Sequence, residues 1–371
     1  PAVPAYHWLL FISFTLAGFF TAKFLRELGS SAIGAYLGAL AYVTANLVYT
    51  NALTMANAVL FVPLLSWAIW RMRLGWKYAF LGAAIIGWGW LSGVTQYIVY
   101  ALLAAGAFAV FIAWREHGGA RFLGRVALAL LLGTAIGLVQ LAPTALLASL
   151  STRAGGLTSA EVGIDPLLPT DALRLFLPYF TLPLGIPFGS KGAEAFVYLG
   201  VIPFLCFMFG WFVRDRVARF FQWLFLAAVS IAIIGSPIHW LLANVPYLNY
   251  FRGQSRWMMV GFFAASALAA FGYDAFASVP ERWRRRVLIG FLAVSSAVVA
   301  GVLGIAGAVA LASGAIRSFA ERFLDASAAE AFLREIAGNA ALGRPEVYLP
   351  LFFLIIAGMG VIYFLRRPQE L

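Results

Sequence analysis

Apolar residues run through this chain in long blocks, broken at short intervals by small clusters of charge. Eleven blocks, at about 5–22, 32–50, 52–70, 78–93, 95–114, 122–142, 195–213, 220–236, 256–277, 287–312 and 347–365, read as helices crossing a bilayer. A hydrocarbon core of about 30 Å needs about twenty residues at a rise of 1.5 Å each. The blocks at 78–93 and 220–236 are short enough to be tilted or partly re-entrant.

Two longer segments break the rhythm. Residues 143–194 carry scattered charges and prolines at 166, 169, 178, 183 and 187. Within them Asp171-Ala-Leu-Arg-Leu-Phe-Leu-Pro-Tyr-Phe reads as a short amphipathic helix lying in the interface, capped by Thr170 or Asp171. Residues 313–346 space Ile316, Phe319, Phe323, Phe332, Leu333 and Ile336 at near-helical intervals, interrupted at Asp325-Ala-Ser. That pattern predicts a helical hairpin or a bent helix on the membrane surface. Glycines inside the blocks, including Gly82, Gly87, Gly89 and Gly93 and again Gly301, Gly304 and Gly307, read as packing positions where helices approach closely.

Composition sharpens the class. The 371 residues are 63% hydrophobic and 11% charged, with mean hydropathy +0.90. A soluble domain with so little charge lacks the polar residues to cover its surface, so the expectation is a single all-α polytopic membrane domain. The net charge of +11 does not point to nucleic acid, because the cations sit in short clusters between apolar blocks. One set of loops holds 17 basic residues against five acids, from Lys23 and Arg26 through Arg282–Arg286 to Arg366 and Arg367; the alternate set holds nine of each. By the positive-inside rule the first set is cytoplasmic, which puts the N-terminus outside, the C-terminus inside and the segments 143–194 and 313–346 outside. With Pro1 outside and no signal-peptide pattern after it, a further outward-running span and its loop are expected upstream.

Candidate chemistry is sparse. His7, His117 and His239 are scattered, Cys206 is the only cysteine, and neither a metal-ligand spacing nor a phosphate-binding loop is present. No block carries a carboxylate at mid-helix, which weakens a proton-coupled transporter reading. The polar stretch that stands out is Asn249-Tyr-Phe-Arg252-Gly-Gln254-Ser-Arg256 at the outer mouth of the block 256–277. Continued as a helix it sets Arg252 and Arg256 on one face, where two planar guanidinium forks can share a phosphate. The alternative is a pair of interfacial anchors reaching to the headgroups, or ion pairs with external acids such as Asp165, Asp171 or Glu194. Gln96 and Gln140 also fall near outer ends, either as donors to a sugar or phosphate or as helix–helix hydrogen bonds.

Together, Ala5-Tyr6 opening a block through Leu16-Ala-Gly18, Leu91-Ser-Gly93…Gln96, Gln140-Leu-Ala-Pro143-Thr144, Tyr198-Leu-Gly-Val-Ile-Pro203 and Asn249-Tyr-Phe251-Arg252…Ser255-Arg256 resemble the YfhO-type family of bacterial membrane proteins, a branch of the GT-C glycosyltransferase superfamily. The family pattern differs at three points: a proline where Gln254 stands, a histidine–proline pair where Val94-Thr95 stands, and an acid after Pro-Thr where Ala145 stands. The resemblance implies a GT-C-like enzyme of the bacterial inner membrane that moves a sugar from a polyprenyl-phosphate carrier on the extracytoplasmic side. It implies a catalytic carboxylate in a first external loop upstream of Pro1, and metal use that varies between such enzymes. Arg252, Arg256, Gln254, Gln96, Gln140 and Asn249 are the candidate lipid-phosphate and substrate residues. A non-catalytic membrane subunit or scaffold of a larger complex is the alternative, and a lipid or solute transporter a third.

Overall fold

The computed structural model describes residues 2–49, 56–115, 118–151, 154–163, 166–178, 197–233, 244–245 and 248–366. Among them the chain is helical, without a strand; one isolated parallel bridge joins Leu167 to Ile233. In chain order the helices are α1 (Ala2–Glu27), α2 (Ala32–Tyr49), α3 (Ala56–Met72), α4 (Trp76–Leu91), α5 (Thr95–Arg115), α6 (Gly119–Ser149) and the single turn α7 (Ser159–Val162). There follow α8 (Val201–Gly210), α9 (Arg216–Ala232), α10 (Met258–Ala275), α11 (Glu281–Ala320), α12 (Ala326–Asn339) and α13 (Pro345–Arg366).

Each expected apolar block carries a helix. Among the described residues five helical stretches, His7–Glu27, Thr95–Arg115, Gly119–Ser149, Gln254–Ser278 and Glu281–Ala320, are long and apolar enough to cross a membrane by length and composition. The protein is therefore a membrane protein. The block at 195–213 departs most from expectation. Its helix α8 has only ten residues, about 15 Å of rise, because Gly200 at φ 91° breaks the chain before Val201.

α10 is the axis of the bundle. It packs against α2, α3, α5, α8 and α9, and Met258–Ala270 is buried without interruption. Lipid supplies no hydrophobic drive between helices, so close packing has to hold them. Small residues permit it here: a Cβ at Gly210 of α8 would strike the Leu268 carbonyl, and one at Gly38 of α2 would meet the Ser266 carbonyl. Aromatic rings fill the rest. Phe24 of α1 stacks on Phe263 of α10 at 5.6 Å and meets Phe108 of α5 edge-on at 5.5 Å, with Phe221 of α9 against both phenylalanines and Phe24.

α4 and α6 pack through Gly87, Gly133 and Gly137, set against Ile136, Ile86 and Trp90. Gly82 and Gly89 also sit against side chains, as expected. Gly93 instead sits in a turn at φ 79°, and Gly301, Gly304 and Gly307 on α11 face open space, so the packing role does not extend to them.

Residues 313–346 form the expected hairpin. α11 bends at Ala312, where φ is −139°, and the chain turns back at Asp325, whose carboxylate caps α12 by accepting from the Ala328 amide at 2.8 Å. Residues 169–178 do not form the expected interfacial helix. A seven-residue 3-10 turn, Pro169–Leu175, takes its place, and Asp171, Arg174, Phe176 and Leu177 are all buried. Asp171 accepts from the Leu168 amide at 2.8 Å and pairs with Arg174 at 3.4 Å. The turn is thus a strap packed into the bundle, and burial pulls the Arg174 guanidinium below its ordinary pKa.

Candidate functional site

The arginine stretch enters α10 through irregular backbone. Leu248–Tyr250 is a 3-10 turn, Gly253 adopts φ 83° and ψ 85°, and Gln254–Trp257 is a second 3-10 turn leading into Met258. The left-handed Gly253 cancels the premise that Arg252 and Arg256 share a helix face, since Arg252 lies outside any helix. A different device brings them together. Gln96, in the first turn of α5, accepts from the Arg256 guanidinium at 2.7 Å through Oε1 and donates to the Arg252 carbonyl at 2.7 Å through Nε2. The same Nε2 donates to the Tyr100 hydroxyl at 2.9 Å, and the Tyr100 ring stacks on Trp257 at 4.2 Å.

One carboxamide therefore pins both arginine positions to α5. Arg256 is half-buried, with its guanidinium 5.7 Å from the Tyr97 ring centre. Arg252 is exposed, and its guanidinium has no hydrogen-bond or ion-pair partner among the described residues. Both cations stand at the N-terminal end of α10, where the helix dipole is itself positive. That placement is unfavourable for cations and favourable for an anion.

Of the other expected residues, Gln254 is buried and donates to the Val162 carbonyl at 3.1 Å, while its Oε1 is buried without a donor among the described residues. Asn249 accepts from the Leu157 amide through its carbonyl at 2.9 Å, and among the described residues its side-chain Oδ1 is also buried without a donor and the Ser255 hydroxyl is buried and unbonded. Three orphaned oxygen groups in seven residues are unusual, since leaving one unmade costs about 1–3 kcal/mol. Gln140 does not join this group. Its carboxamide donates to Thr144 on the same helix at 3.4 Å, and among the described residues no hydrogen bond links it to the arginine stretch.

Of the acids expected as arginine partners, Asp171 is engaged by Arg174 and the Leu168 amide, while Asp165 and Glu194 lie outside the described residues. Below the stretch an apolar cavity of about 210 Å³ opens between the strap and the bundle, lined by Leu168, Asp171, Leu199, Phe207, Val229 and Met258 among others. Hydropathy alone does not reveal it, because its walls come from five separate segments. Among the described residues no three His, Cys, Asp or Glu side chains gather where a metal could sit.

The opposite end of the bundle is held by different bonds. Asp274, near the far end of α10, accepts from the Ser30 hydroxyl at 2.6 Å and the Ser31 amide at 2.9 Å, capping α2. Arg125 donates to the Met72 and Arg73 carbonyls at 2.8 and 2.9 Å, and Arg71 pairs with Glu27 at 2.6 Å. Compared with family models, characterised proteins and solved structures, the chain gives no match.

Proposed function

We propose that this chain is a membrane glycosyltransferase of the GT-C kind, taking a sugar from a polyprenyl-phosphate carrier, with Arg252 and Arg256 holding the lipid phosphate. The observation that carries the reading is the Gln96 bridge, which fixes two guanidinium-bearing positions at the positive end of a buried helix. A phosphate there would meet two planar forks and the helix dipole together.

In this reading the apolar blocks traverse the bilayer of a bacterial inner membrane, the ten-residue α8 covering only part of its thickness, and the arginine end faces outward. Negative charge grows on the phosphate as the glycosidic bond breaks, and the held, half-buried Arg256 together with the exposed Arg252 would stabilise it. The base that activates the acceptor is not among the residues assigned here, and Gln140 is left with a structural role. A non-catalytic subunit of the same architecture is favoured by one observation: Asp171, a nearby buried carboxylate, is engaged in holding its own strap.

The test is binding of a synthetic polyprenyl phosphate to the purified chain in detergent. Lysine keeps the charge and loses the fork, so Arg256→Lys and Arg252→Lys should each weaken binding about tenfold, the equivalent of about 1.4 kcal/mol. Unchanged affinity in both folded variants would reduce the arginines to anchors.

A further inference from the structure

α1 and α2 are joined by the turn Leu28–Ser31, and a groove of about 710 Å³ runs between them, opening away from the bundle. Its walls are Phe11, Gly18 and Phe19 of α1 and Tyr36, Leu40 and Val43 of α2, with Phe11, Phe19, Tyr36 and Leu40 all more than half exposed. From Leu10 to Arg26 the α1 side of the groove spans about 24 Å at helical rise, more than the roughly 15 Å of one leaflet's hydrocarbon. The volume falls within the range of small-molecule sites.

The groove is not uniformly apolar. Lys23 and Arg26 close it at the turn end. The Lys23 ammonium lies over the Trp67 ring at 4.7 Å and near the Phe19 ring at 5.6 Å. The acid beside it, Glu27, is occupied by Arg71 at 2.6 Å and by the Trp67 indole at 3.0 Å. Lys23 therefore has aromatic faces beneath it and no carboxylate or hydrogen-bond partner among the described residues. Arg26 donates to the Ser30 carbonyl at 2.6 Å, which holds its charge at the same level. Trp67 lies at Lys23 and, with Tyr78, near the Arg71 guanidinium, and Trp76 lies near that of Arg125, rings and cations at one end in the manner of an interfacial aromatic belt.

We infer that the α1–α2 groove is a binding site for an anionic phospholipid, its acyl chain along Phe11–Phe19 and Tyr36–Val43 and its phosphate at Lys23. Charge chooses the occupant. A second copy docking here in the same membrane orientation would bring a second Lys23 and Arg26 to the same depth, adding like charge, whereas an anionic headgroup neutralises them. The site lies at the opposite end of the bundle from Gln96 and Arg256 and does not depend on the sugar-transfer reading.

Native mass spectrometry of the full chain, with phosphatidylglycerol and phosphatidylcholine of matched acyl chains added in turn, tests it. The expected result is tighter retention of phosphatidylglycerol, by about fivefold for one surface cation. Lys23→Gln should remove that preference and Lys23→Arg should keep it. Leu40→Trp, at a half-exposed position that tolerates bulk, should lower retention of both lipids by filling the groove. Equal retention of the two lipids by the wild type, a preference that survives Lys23→Gln, or a dimer that excludes lipid from the groove would overturn the inference.

Discussion

Removing the Gln96 carboxamide should uncouple α5 from the arginine stretch, and its cost can be worked from the bonds it makes. Gln96→Leu loses one charge-assisted bond to Arg256 at 2.7 Å and two neutral bonds, to the Arg252 carbonyl at 2.7 Å and the Tyr100 hydroxyl at 2.9 Å. In a buried setting those sum to about 3–5 kcal/mol. The residue is half-exposed, so water replaces part of the loss, and about 2 kcal/mol is the expected net destabilisation. A chain of this size should lose about 3 °C in melting temperature in detergent. The sharper assay is a double-mutant cycle with Arg256→Met, which isolates the bond between the two side chains. The expected coupling is about 1.5 kcal/mol. Additivity within about 0.5 kcal/mol would show that the bridge does not hold Arg256, and the case for a pinned cation pair would fall with it.

The packing account predicts opposite outcomes at two glycines: Gly210→Ala, facing the Leu268 carbonyl, should lower thermal stability by about 1–3 kcal/mol, whereas Gly304→Ala, facing open space on a helix, should raise it by about 0.5–1 kcal/mol. Asp171→Asn removes the carboxylate that Arg174 pairs with and that accepts from the Leu168 amide, and should cost about 1–3 kcal/mol, measured by thermal unfolding and by faster proteolysis near the strap. Cysteine labelling in a Cys206→Ser background should reach position 190 from outside and position 278 only after permeabilisation; labelling of 278 but not 190 from outside would invert the topology.

Helices were legible because period and loop charge agree along the chain. The hairpin at Asp325 was legible for a local reason, a capping side chain placed between two apolar periods. The partnership of Gln96 with Arg256 could be anticipated only as two polar groups near one end, since 160 residues separate them in sequence. What failed did so through backbone and tertiary context. Gly253 takes a left-handed conformation, so the four-residue spacing of the arginines lost its helical meaning. The strap around Asp171 has an amphipathic pattern, but Asp171 and Arg174 pair with each other and are buried. Gln140 has Thr144 one helical turn away and so a local partner that spacing alone does not rank above a distant ligand. The glycines of α11 look like those of α4, and only the presence or absence of a facing helix separates them.

The central claim is that a lipid phosphate sits between Arg252 and Arg256, at the Gln96 end of α10. The most direct test is photocrosslinking of the full chain in bilayers with a polyprenyl phosphate carrying a photoreactive group beside the phosphate, followed by mass-spectrometric mapping. The account predicts crosslinks within residues 93–100 and 249–258, suppressed by excess unlabelled polyprenyl phosphate and weakened in Arg256→Lys. Crosslinks confined to the Lys23, Arg71 and Arg125 end, or unaffected by competitor, would contradict it.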